Sequence, residues 1–390
     1  MSHSASAIAA PMSRPPLLEL PGKVAGEPVK VCVLESSQSD PVRLYEQILD
    51  GRYARPFIID DGETRQLLFN LDFIQSSMRI DDPFALDIAY TRKMMAFLLF
   101  APNPGHVLLV GLGGGSLAKF CHRHLPRTRL TVVELNPDVI ALRQAFGVPD
   151  DERLAIVQAD AAAYLPEAEG DTDVLLLDGF DARGIAPTFL SRTFYQAARN
   201  RLRSGGLLVA NFAGPRKYWS RHLALLSEVF QGHVHLGTVP GGDNHIACAC
   251  VGPACPLDWG QLEKRASALA DRIPLDFSAI VTSLREGAEL PWAKQAACPK
   301  VSSLMKSGTS DMQKIHQYLK SRGEQFDAEI AAATRIPLED VRLHLAELSK
   351  RGDVIACHST RFIKGKKSEG MLYRISGYIP AASPGRKPKA

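Results

Sequence analysis

The stretch Val107-Leu-Leu-Val-Gly-Leu-Gly-Gly-Gly-Ser116 decides the fold of this chain. Four apolar residues typical of a short strand run directly into a cluster of glycines, and helical apolar spacing follows from Leu117 to His124. Glycines at such a point let the backbone pass close to a ligand and open the N-terminus of a helix toward it. The stretch therefore predicts a strand, a ligand-binding loop and a helix.

The same alternation of strand and helix continues on the C-terminal side of this stretch. Runs of Val and Leu with little polar alternation indicate strands buried on both faces, so we predict an α/β fold with a mostly parallel sheet. Ligands of such sheets bind at the carboxyl ends of the strands. Four of these ends carry the glycine cluster 111–115, Glu134, Asp160 and Asp178. We expect these residues to line one crevice.

The polar groups of this crevice suit a nucleoside. Glu134 lies 23 residues after Gly111 and can accept hydrogen bonds from both ribose hydroxyls, or it is only a solvated strand-end carboxylate. Asp160 can hold an adenine amino group or cap the helix that follows it. The third glycine of the dinucleotide pattern would fall at Ser116, which argues against a nicotinamide cofactor. The predicted cofactor-binding residues are Gly111, Gly113, Gly115, Glu134, Asp160 and Ala161.

The run from Gln75 to Gly214 resembles the spermidine synthase family, the polyamine aminopropyltransferases. The resemblance implies a Rossmann-like sheet of the class I S-adenosylmethionine-dependent methyltransferase type, preceded by a small N-terminal β domain. It also implies transfer of an aminopropyl group from decarboxylated S-adenosylmethionine to a small-molecule amine. The pieces that carry it include Gln75-Ser-Ser, Tyr90, Val107 to Gly115, Val132-Val-Glu-Leu-Asn-Pro137, Leu175-Leu-Leu-Asp-Gly-Phe-Asp181 and Phe194-Tyr195.

The same resemblance gives roles to individual residues around the amine. It implies that Asp178 is the catalytic base and that Asp181, Gln75 and Tyr90 bind the substrate. An alkylammonium is not a nucleophile until it loses a proton, so a carboxylate that binds the cation and accepts the proton suits this reaction. Two loop aspartates that only form turns beside Gly179 are the alternative.

Four positions depart from the family pattern. Gly114 stands where the family usually has an aspartate that meets the amine of the cofactor, and Ala182 stands where it has a proline. Arg92 and Lys93 replace acidic or histidine residues after Tyr90, and two cations pointing inward would repel a diamine. A different acceptor amine, lost activity, or a methyltransferase that uses intact S-adenosylmethionine therefore stay open as alternatives.

The C-terminal region differs from the rest of the chain in charge. Residues 300–390 contain 17 Lys and Arg and 9 Asp and Glu, whereas the remainder has a net charge of −4. Three helical patterns followed by two strands resemble a winged helix-turn-helix. Arg342 on its third helix and Lys364, Lys366 and Lys367 on its hairpin are the predicted nucleic-acid-binding residues. We expect this module to contact either DNA or another protein. If it contacts DNA, an alternative function of the chain is that of a regulator whose α/β domain senses a nucleoside.

The remaining predictions concern the surroundings and limits of the domains. No apolar run is long enough to span a membrane, and the N-terminus lacks a secretory signal, which favours a cytoplasmic protein without membrane contact. The seven cysteines show no zinc spacing, so we expect no metal site. We also predict that the chain forms a homodimer. The predicted domains are a disordered leader (1–27), a β domain (28–80), a catalytic domain (81–295), a linker (296–308), a winged helix (309–378) and a basic tail (379–390).

Overall fold

The computed structural model separates into two compact units, residues 1–298 and 299–390. None of the helices that the structure describes is long and apolar enough to cross a membrane. The structure describes residues 17–24, 26–181, 184–185, 189–214, 216–241, 244–252, 257–290, 302–350, 353–363 and 366–376.

The first unit begins with an antiparallel sheet of five strands, each paired with the next in sequence. Its third and fourth strands form a hairpin. The first strand corrects the predicted leader, because Leu20 points into the core of this sheet and Leu18 packs against it. The elements are β1 (Leu18–Val24), β2 (Glu27–Val33), α1 (Pro41–Leu49), β3 (Phe57–Asp60), β4 (Thr64–Leu68) and β5 (Ile74–Arg79).

A second sheet of seven strands forms the centre of this unit. Its strands are β6 (His106–Val110), β7 (Arg129–Glu134), β8 (Leu154–Gln158), β9 (Thr172–Leu177), β12 (Leu202–Phe212), β13 (Val234–Thr238) and β14 (His245–Cys250), with the separate pair β10 (Phe180–Asp181) and β11 (Gly184–Ile185) between β9 and β12. The order across the sheet is β13-β14-β12-β9-β6-β7-β8. All neighbours from β12 to β8 are parallel, as predicted, and β14 and β13 are antiparallel.

Helices cover both faces of the central sheet, because alternate strand residues point to opposite sides. In β6, Val107 and Leu109 enter one core while Leu108 and Val110 enter the other. The first core packs against α2 (Ala89–Met94), α3 (Phe97–Phe100), α4 (Ser116–His124), α5 (Pro137–Leu142), α9 (Trp259–Ala270) and α10 (Phe277–Glu289). The second packs against α6 (Ala161–Tyr164), the 3₁₀ turn Leu165–Glu167, α7 (Arg192–Arg201) and α8 (Arg216–Val229).

Arginines attach the N-terminal sheet to the carboxyl edge of the central sheet. Arg55 donates two hydrogen bonds to the carboxylate of Asp138 in α5, from Nε at 2.9 Å and from Nη2 at 2.7 Å. These bonds lower the pKa of Asp138. Arg65 of β4 donates to the carbonyl oxygen of Ala145 just beyond α5. The contacts bring β5 against the glycine loop, where a Cβ placed on Gly113 would lie 3.6 Å from the Cβ of Ser76.

The second unit combines three helices with a small antiparallel sheet. Its elements are α11 (Ser302–Arg322), β15 (Gln325–Phe326), α12 (Asp327–Thr334), α13 (Leu338–Lys350), β16 (Val354–Ile363) and β17 (Lys366–Ile375), with strand order β15-β17-β16. A core that includes Ile315, Ile330 and Val341 joins the helices. The predicted linker 296–308 is wrong in its second half, because α11 begins at Ser302 and continues through Gly308. Glycine within a helix costs only about 1 kcal/mol relative to alanine.

Candidate active site

A cavity of about 250 Å³ opens at the carboxyl edge of the central sheet. The ends of β6, β7, β8 and β9 form one side of it, and residues from β4, β5 and α2 form the other. The structure thus brings together eight of the predicted site residues. Those lining the cavity are Gln75, Tyr90, Gly111, Gly113, Glu134, Asp160, Ala161 and Asp178.

Gly111 lies where three strand ends meet. Its N–H donates to the carbonyl of Val133, and the N–H of Asp178 donates to the carbonyl of Val110, both at 2.9 Å. A Cβ on Gly111 would lie 2.3 Å from the carbonyl oxygen of Asp178, and its φ of +96° is in the region that favours glycine. A side chain at Gly111 would therefore push the end of β6 away from Asp178.

Glu134 fixes the conformation of the glycine loop. Its Oε2 accepts the N–H of Leu112 at 2.8 Å, and its Oε1 accepts the N–H of Asn136 at 2.7 Å. Burial raises the pKa of Glu134, and the backbone N–H groups act in the opposite direction. The carboxylate is therefore bound on both oxygens by the protein while it also lines the cavity, so it is more than a solvated strand end.

Asp160 caps a helix, which is one of the two roles that the sequence allows for it. Its Oδ1 accepts the N–H of Ala162 at 2.9 Å, so it caps the N-terminus of α6. Asp160 and Ala161 also line the cavity. Because one carboxylate has two oxygens, capping the helix is compatible with the predicted contact to a nucleoside base, which stays a prediction.

The glycines at 114 and 115 serve packing and do not line the cavity. A Cβ on Gly114 would lie 2.8 Å from Ser76 Oγ and 2.9 Å from Phe146 Cδ1. A Cβ on Gly115 would lie 2.4 Å from a methyl group of Val148, and Gly115 is the left-handed N-cap of α4. The lack of a side chain at Gly115 lets the loop approach Val148, and the predicted cofactor contact of Gly115 stays a prediction.

Asp178 projects from the end of β9 and is held by two side chains. Tyr90 Oη donates to Oδ2 at 3.0 Å, and Asn211 Nδ2 donates to Oδ1 at 2.9 Å. Burial raises the pKa of Asp178, while the bonds from Asn211 and Tyr90 lower it. Burial and the nearby carboxylate raise the pKa of Tyr90 well above its usual value, so the phenol keeps its proton and donates.

Arg92 and Lys93 point away from the cavity, although both follow Tyr90 in the same helix. Arg92 donates to the carbonyl oxygens of Leu86 and Asp87 at 2.6 Å. Lys93 Nζ donates to the carbonyl oxygen of Ala279 at the start of α10. Neither residue lines the cavity. These two cations therefore do not face an amine bound beside Asp178, which removes the objection raised from the sequence.

The other predicted residues lie partly beyond what the structure describes. Asp181 belongs to β10, but its side chain is outside the described residues, as is all of Ala182. Arg342 donates to Asp327 Oδ2 at 2.6 Å and is thus ion-paired within its own unit. Lys364 lies outside the described residues, as do the side chains of Lys366 and Lys367 on β17. Nucleic-acid binding stays a prediction.

Three residues of the site were missed at the sequence level. Asn211 directly follows the apolar run 207–210 near the end of β12, and a polar residue after such a run is the same signal that identified Asp178 on the neighbouring strand. Ser76 is in the quoted Gln75-Ser-Ser run, and its Oγ lies 3.3 Å from Ser116 Oγ. Phe146 carries no such signal, because its contact with Gly114 joins residues that are distant in sequence.

Comparisons with known proteins identify the family. A family model described as a spermine/spermidine synthase domain matches residues 87–231. A polyamine aminopropyltransferase from Neisseria meningitidis serogroup A is 36% identical over 231 residues, which cover 58% of this chain and 88% of that protein. The chain belongs to the polyamine aminopropyltransferase family. This confirms the resemblance to the polyamine aminopropyltransferases that the sequence motifs indicated.

Two further proteins are similar to this chain, one over a shorter region and one at lower sequence identity. An eEF1A lysine and N-terminal methyltransferase from Xenopus laevis is 32% identical over 152 residues, which cover 34% of this chain and 22% of that protein. A crystal structure of a probable spermidine synthase from Corynebacterium glutamicum has a TM-score of 0.47 and 22% identity, covering 60% of this chain and 91% of that one.

The two hydrogen bonds accepted by Glu134 lead to a prediction for nucleoside binding. In Glu134→Gln one carboxylate oxygen becomes an NH₂ group, which cannot accept from Leu112 or Asn136. We expect the affinity for 5′-methylthioadenosine to fall about 10- to 100-fold, as for loss of a hydrogen bond to a charged group. Calorimetric titration of the purified full chain measures this change.

Asp151→Asn is the matched control for Glu134→Gln, because Asp151 is a carboxylate that pairs with His122 and does not line the cavity. Its nucleoside affinity should equal that of the wild type. Equal affinities for wild type and Glu134→Gln would remove Glu134 from the binding site.

Proposed function

We propose that this chain transfers an aminopropyl group from decarboxylated S-adenosylmethionine to a small-molecule amine. The observation that supports it most is the position of Asp178: a carboxylate held by Tyr90 and Asn211, in the same cavity as the glycine loop and Glu134. The family membership over 231 residues is consistent with this chemistry. No group of three or more His, Cys, Asp or Glu side chains among the described residues is placed to hold a metal ion.

The proposed reaction needs a base and a fixed geometry. The Asp178 carboxylate binds the ammonium form of the acceptor and takes one proton from it. The freed nitrogen lone pair attacks the aminopropyl carbon bonded to the sulfonium sulfur, and the C–S bond breaks with its electrons going to sulfur. The products are 5′-methylthioadenosine and the aminopropylated amine, and the Asp178 proton is then released. Both substrates react because they are held in line, without a covalent enzyme intermediate.

The cavity wall fits the nucleoside part of the sulfonium substrate. The glycine loop offers backbone close to the ligand, and we assign the ribose to Glu134 and the base to the region of Asp160 and Ala161. Apolar side chains such as Leu135, Val139 and Phe189 complete the wall. Asp178 and Tyr90, with Gln75, line the part of the wall that we assign to the amine.

Replacement of the proposed base gives a direct test. Asp178→Asn keeps an oxygen acceptor but loses the proton acceptor, so kcat/KM for aminopropyl transfer should fall about 10²- to 10⁴-fold. Burial raises the Asp178 pKa above the ordinary aspartate value of about 3.9. As the pH is lowered, wild-type activity should therefore begin to fall at a pH higher than this ordinary value. The sign follows from the base form, which is lost as pH falls through the raised pKa. Quantification of methylthioadenosine with a panel of amines, over a range of pH, measures both effects.

Asp178→Asn should still bind 5′-methylthioadenosine like the wild type, which shows that the variant is folded. Transfer at wild-type rates by Asp178→Asn would remove this residue from the mechanism. No transfer by the wild type to any amine of the panel would contradict the proposed function itself.

Methyl transfer from intact S-adenosylmethionine is the second candidate function, favoured by the surroundings of Gly114. Ser76 and Phe146 occupy the space that an acidic side chain would need there. The N-terminus of α4 has no side-chain cap and no acidic residue in its first turn, which suits the carboxylate of the intact cofactor. The similarity to a lysine and N-terminal methyltransferase is consistent with an amine acceptor for this candidate also.

The two cofactors distinguish these candidates. We expect decarboxylated S-adenosylmethionine to bind about tenfold or more tightly than the intact form, because the carboxylate of the latter enters a cavity that already contains Glu134, Asp160 and Asp178. Calorimetry with each cofactor, followed by identification of the nucleoside product, tests this. Tighter binding of the intact form together with formation of S-adenosylhomocysteine would reverse the assignment in favour of methyl transfer.

We also propose that residues 299–390 contact DNA and that the chain forms a homodimer in the cytoplasm. The net charge of about +8 over 300–390 supports the first part, since cations release counterions from phosphates. Affinity of the full chain for duplex DNA should fall about tenfold or more between 50 and 200 mM salt. Deletion of 299–390 should abolish the DNA affinity, because it removes the proposed DNA-binding unit. Those residues form a separate unit with its own core, so the deletion leaves the first unit intact.

Fluorescence anisotropy with labelled DNA measures this affinity, and sedimentation of the same sample gives the number of chains. Salt-independent binding, or binding that survives the deletion, would contradict a contact through the C-terminal unit. Retained methylthioadenosine binding shows that the shortened chain is folded.

A further inference from the structure

Three polar residues form a row across adjacent strands at the carboxyl edge of the central sheet. Asp178 follows β9, Asn211 is near the end of β12, and Asn244 precedes β14. These strands are direct neighbours in the order β14-β12-β9, and Ala210 pairs with Leu177, which places Asn211 beside Asp178. The row therefore starts with Asp178 at the cavity and continues away from the cavity along the carboxyl edge of the sheet.

The position of Asn211 is unusual for its strand. Along β12 it follows Leu207 and Val209 on the face that packs into the first core, where alternate residues are apolar. Its side chain is buried, with 5% exposure. A buried amide without hydrogen bonds costs free energy, so its bonds to neighbouring groups account for its presence there.

The amide of Asn211 is bound at both ends. Asn244 Nδ2 donates to Asn211 Oδ1 at 2.9 Å, and Asn211 Nδ2 donates to Asp178 Oδ1 at 2.9 Å. A carboxylate can only accept, so the NH₂ end of Asn211 must face Asp178. The donor from Asn244 stabilises this same orientation, because the reversed amide would place two NH₂ groups against each other.

The Asp178 carboxylate is thus fixed from two sides. Asn211 holds Oδ1 and Tyr90 holds Oδ2, so the plane of the carboxylate is set by two bonds from different elements. Each oxygen retains a second lone pair, which is available to an ammonium in the cavity. Preorganisation of this kind fixes the distance between base and nucleophile before the substrate binds.

We propose that Asn211 and Asn244 are positioning residues for the transfer reaction, with Asn244 acting through Asn211 to orient the Asp178 carboxylate. The inference rests on the proposed function and goes beyond it, since neither asparagine lines the cavity.

The charges around Asp178 make the effect measurable as a function of pH. The other titratable groups of the described cavity wall are Tyr90 from α2, Glu134 from β7 and Asp160 from the end of β8. Arg92 and Lys93 of α2 are bound elsewhere. Burial raises the pKa of Asp178, and the bond from Asn211 offsets part of this. Removal of that bond therefore raises the Asp178 pKa further, and the base form is lost at a higher pH.

The experiment compares pH profiles of kcat/KM for Asn211→Leu and Asn244→Ala in the full chain. Leucine has nearly the shape of asparagine but no donor, so the acidic limb should move upward by about one pH unit or more. Asn244→Ala leaves Asn211 in place and should move the limb in the same direction by less. The double variant should match Asn211→Leu alone, because Asn244 acts only through Asn211.

Thr128→Val is the matched control. Thr128 is also buried and donates to the carbonyl oxygen of Pro104 at 2.7 Å, outside the cavity wall. Its loss should lower stability without moving the acidic limb. Profiles of both asparagine variants that scale down in rate with an unmoved limb, or that shift to lower pH, would overturn the proposal. If Asn211→Leu fails to fold, Asn244→Ala decides alone.

A second readout separates this proposal from the proposed function. The ¹³C signal of the Asp178 carboxyl, assigned by its absence in Asp178→Asn, titrates whether or not the chain turns over. An upward shift of its midpoint in both variants supports the network even if the wild type transfers no aminopropyl group. An unchanged midpoint in both variants contradicts it even if transfer is active.

Discussion

The contact between the backbones of Gly111 and Asp178 is the constraint on which the site depends. Parallel neighbours β6 and β9 end side by side, and the missing side chain at Gly111 lets the carbonyl of Asp178 lie against the loop. One strand end therefore supplies the backbone that we assign to the nucleoside, while the next supplies the carboxylate that we propose as the base for the amine. With Glu134 bound to Leu112, the loop is held from the opposite side as well.

The sequence predicted most of this edge because parallel strands leave little freedom. Once β6 to β9 were identified as buried parallel strands, Glu134, Asp160 and Asp178 had to end at the same edge as the glycines. Two other features depend on tertiary structure. The contact of Phe146 with Gly114 joins distant parts of the chain, and the bond from Asn244 requires the antiparallel strand β14. The N-terminal strand β1 was missed because it follows a Ser-, Ala- and Pro-rich segment.

The basic residues after Tyr90 show how helix geometry decides the meaning of a departure from a family pattern. Residues two apart on a helix are separated by about 200°, so Arg92 faces away from the cavity that Tyr90 enters. Its guanidinium instead binds carbonyl groups of the segment before α2. These contacts stabilise the helix that carries Tyr90, and the local charge near Asp178 is left negative.

The packing beside Gly114 restricts which residues the structure can accept at this position. An aspartate introduced there alone would meet Ser76 and the ring of Phe146, which is completely buried, so the single substitution damages the core before it can contribute a charge. A smaller residue at position 146 has to come first, and on its own it leaves a void under the loop. Neither single substitution is therefore neutral for stability, so an acidic residue at position 114 requires a compensating change in the core beside it.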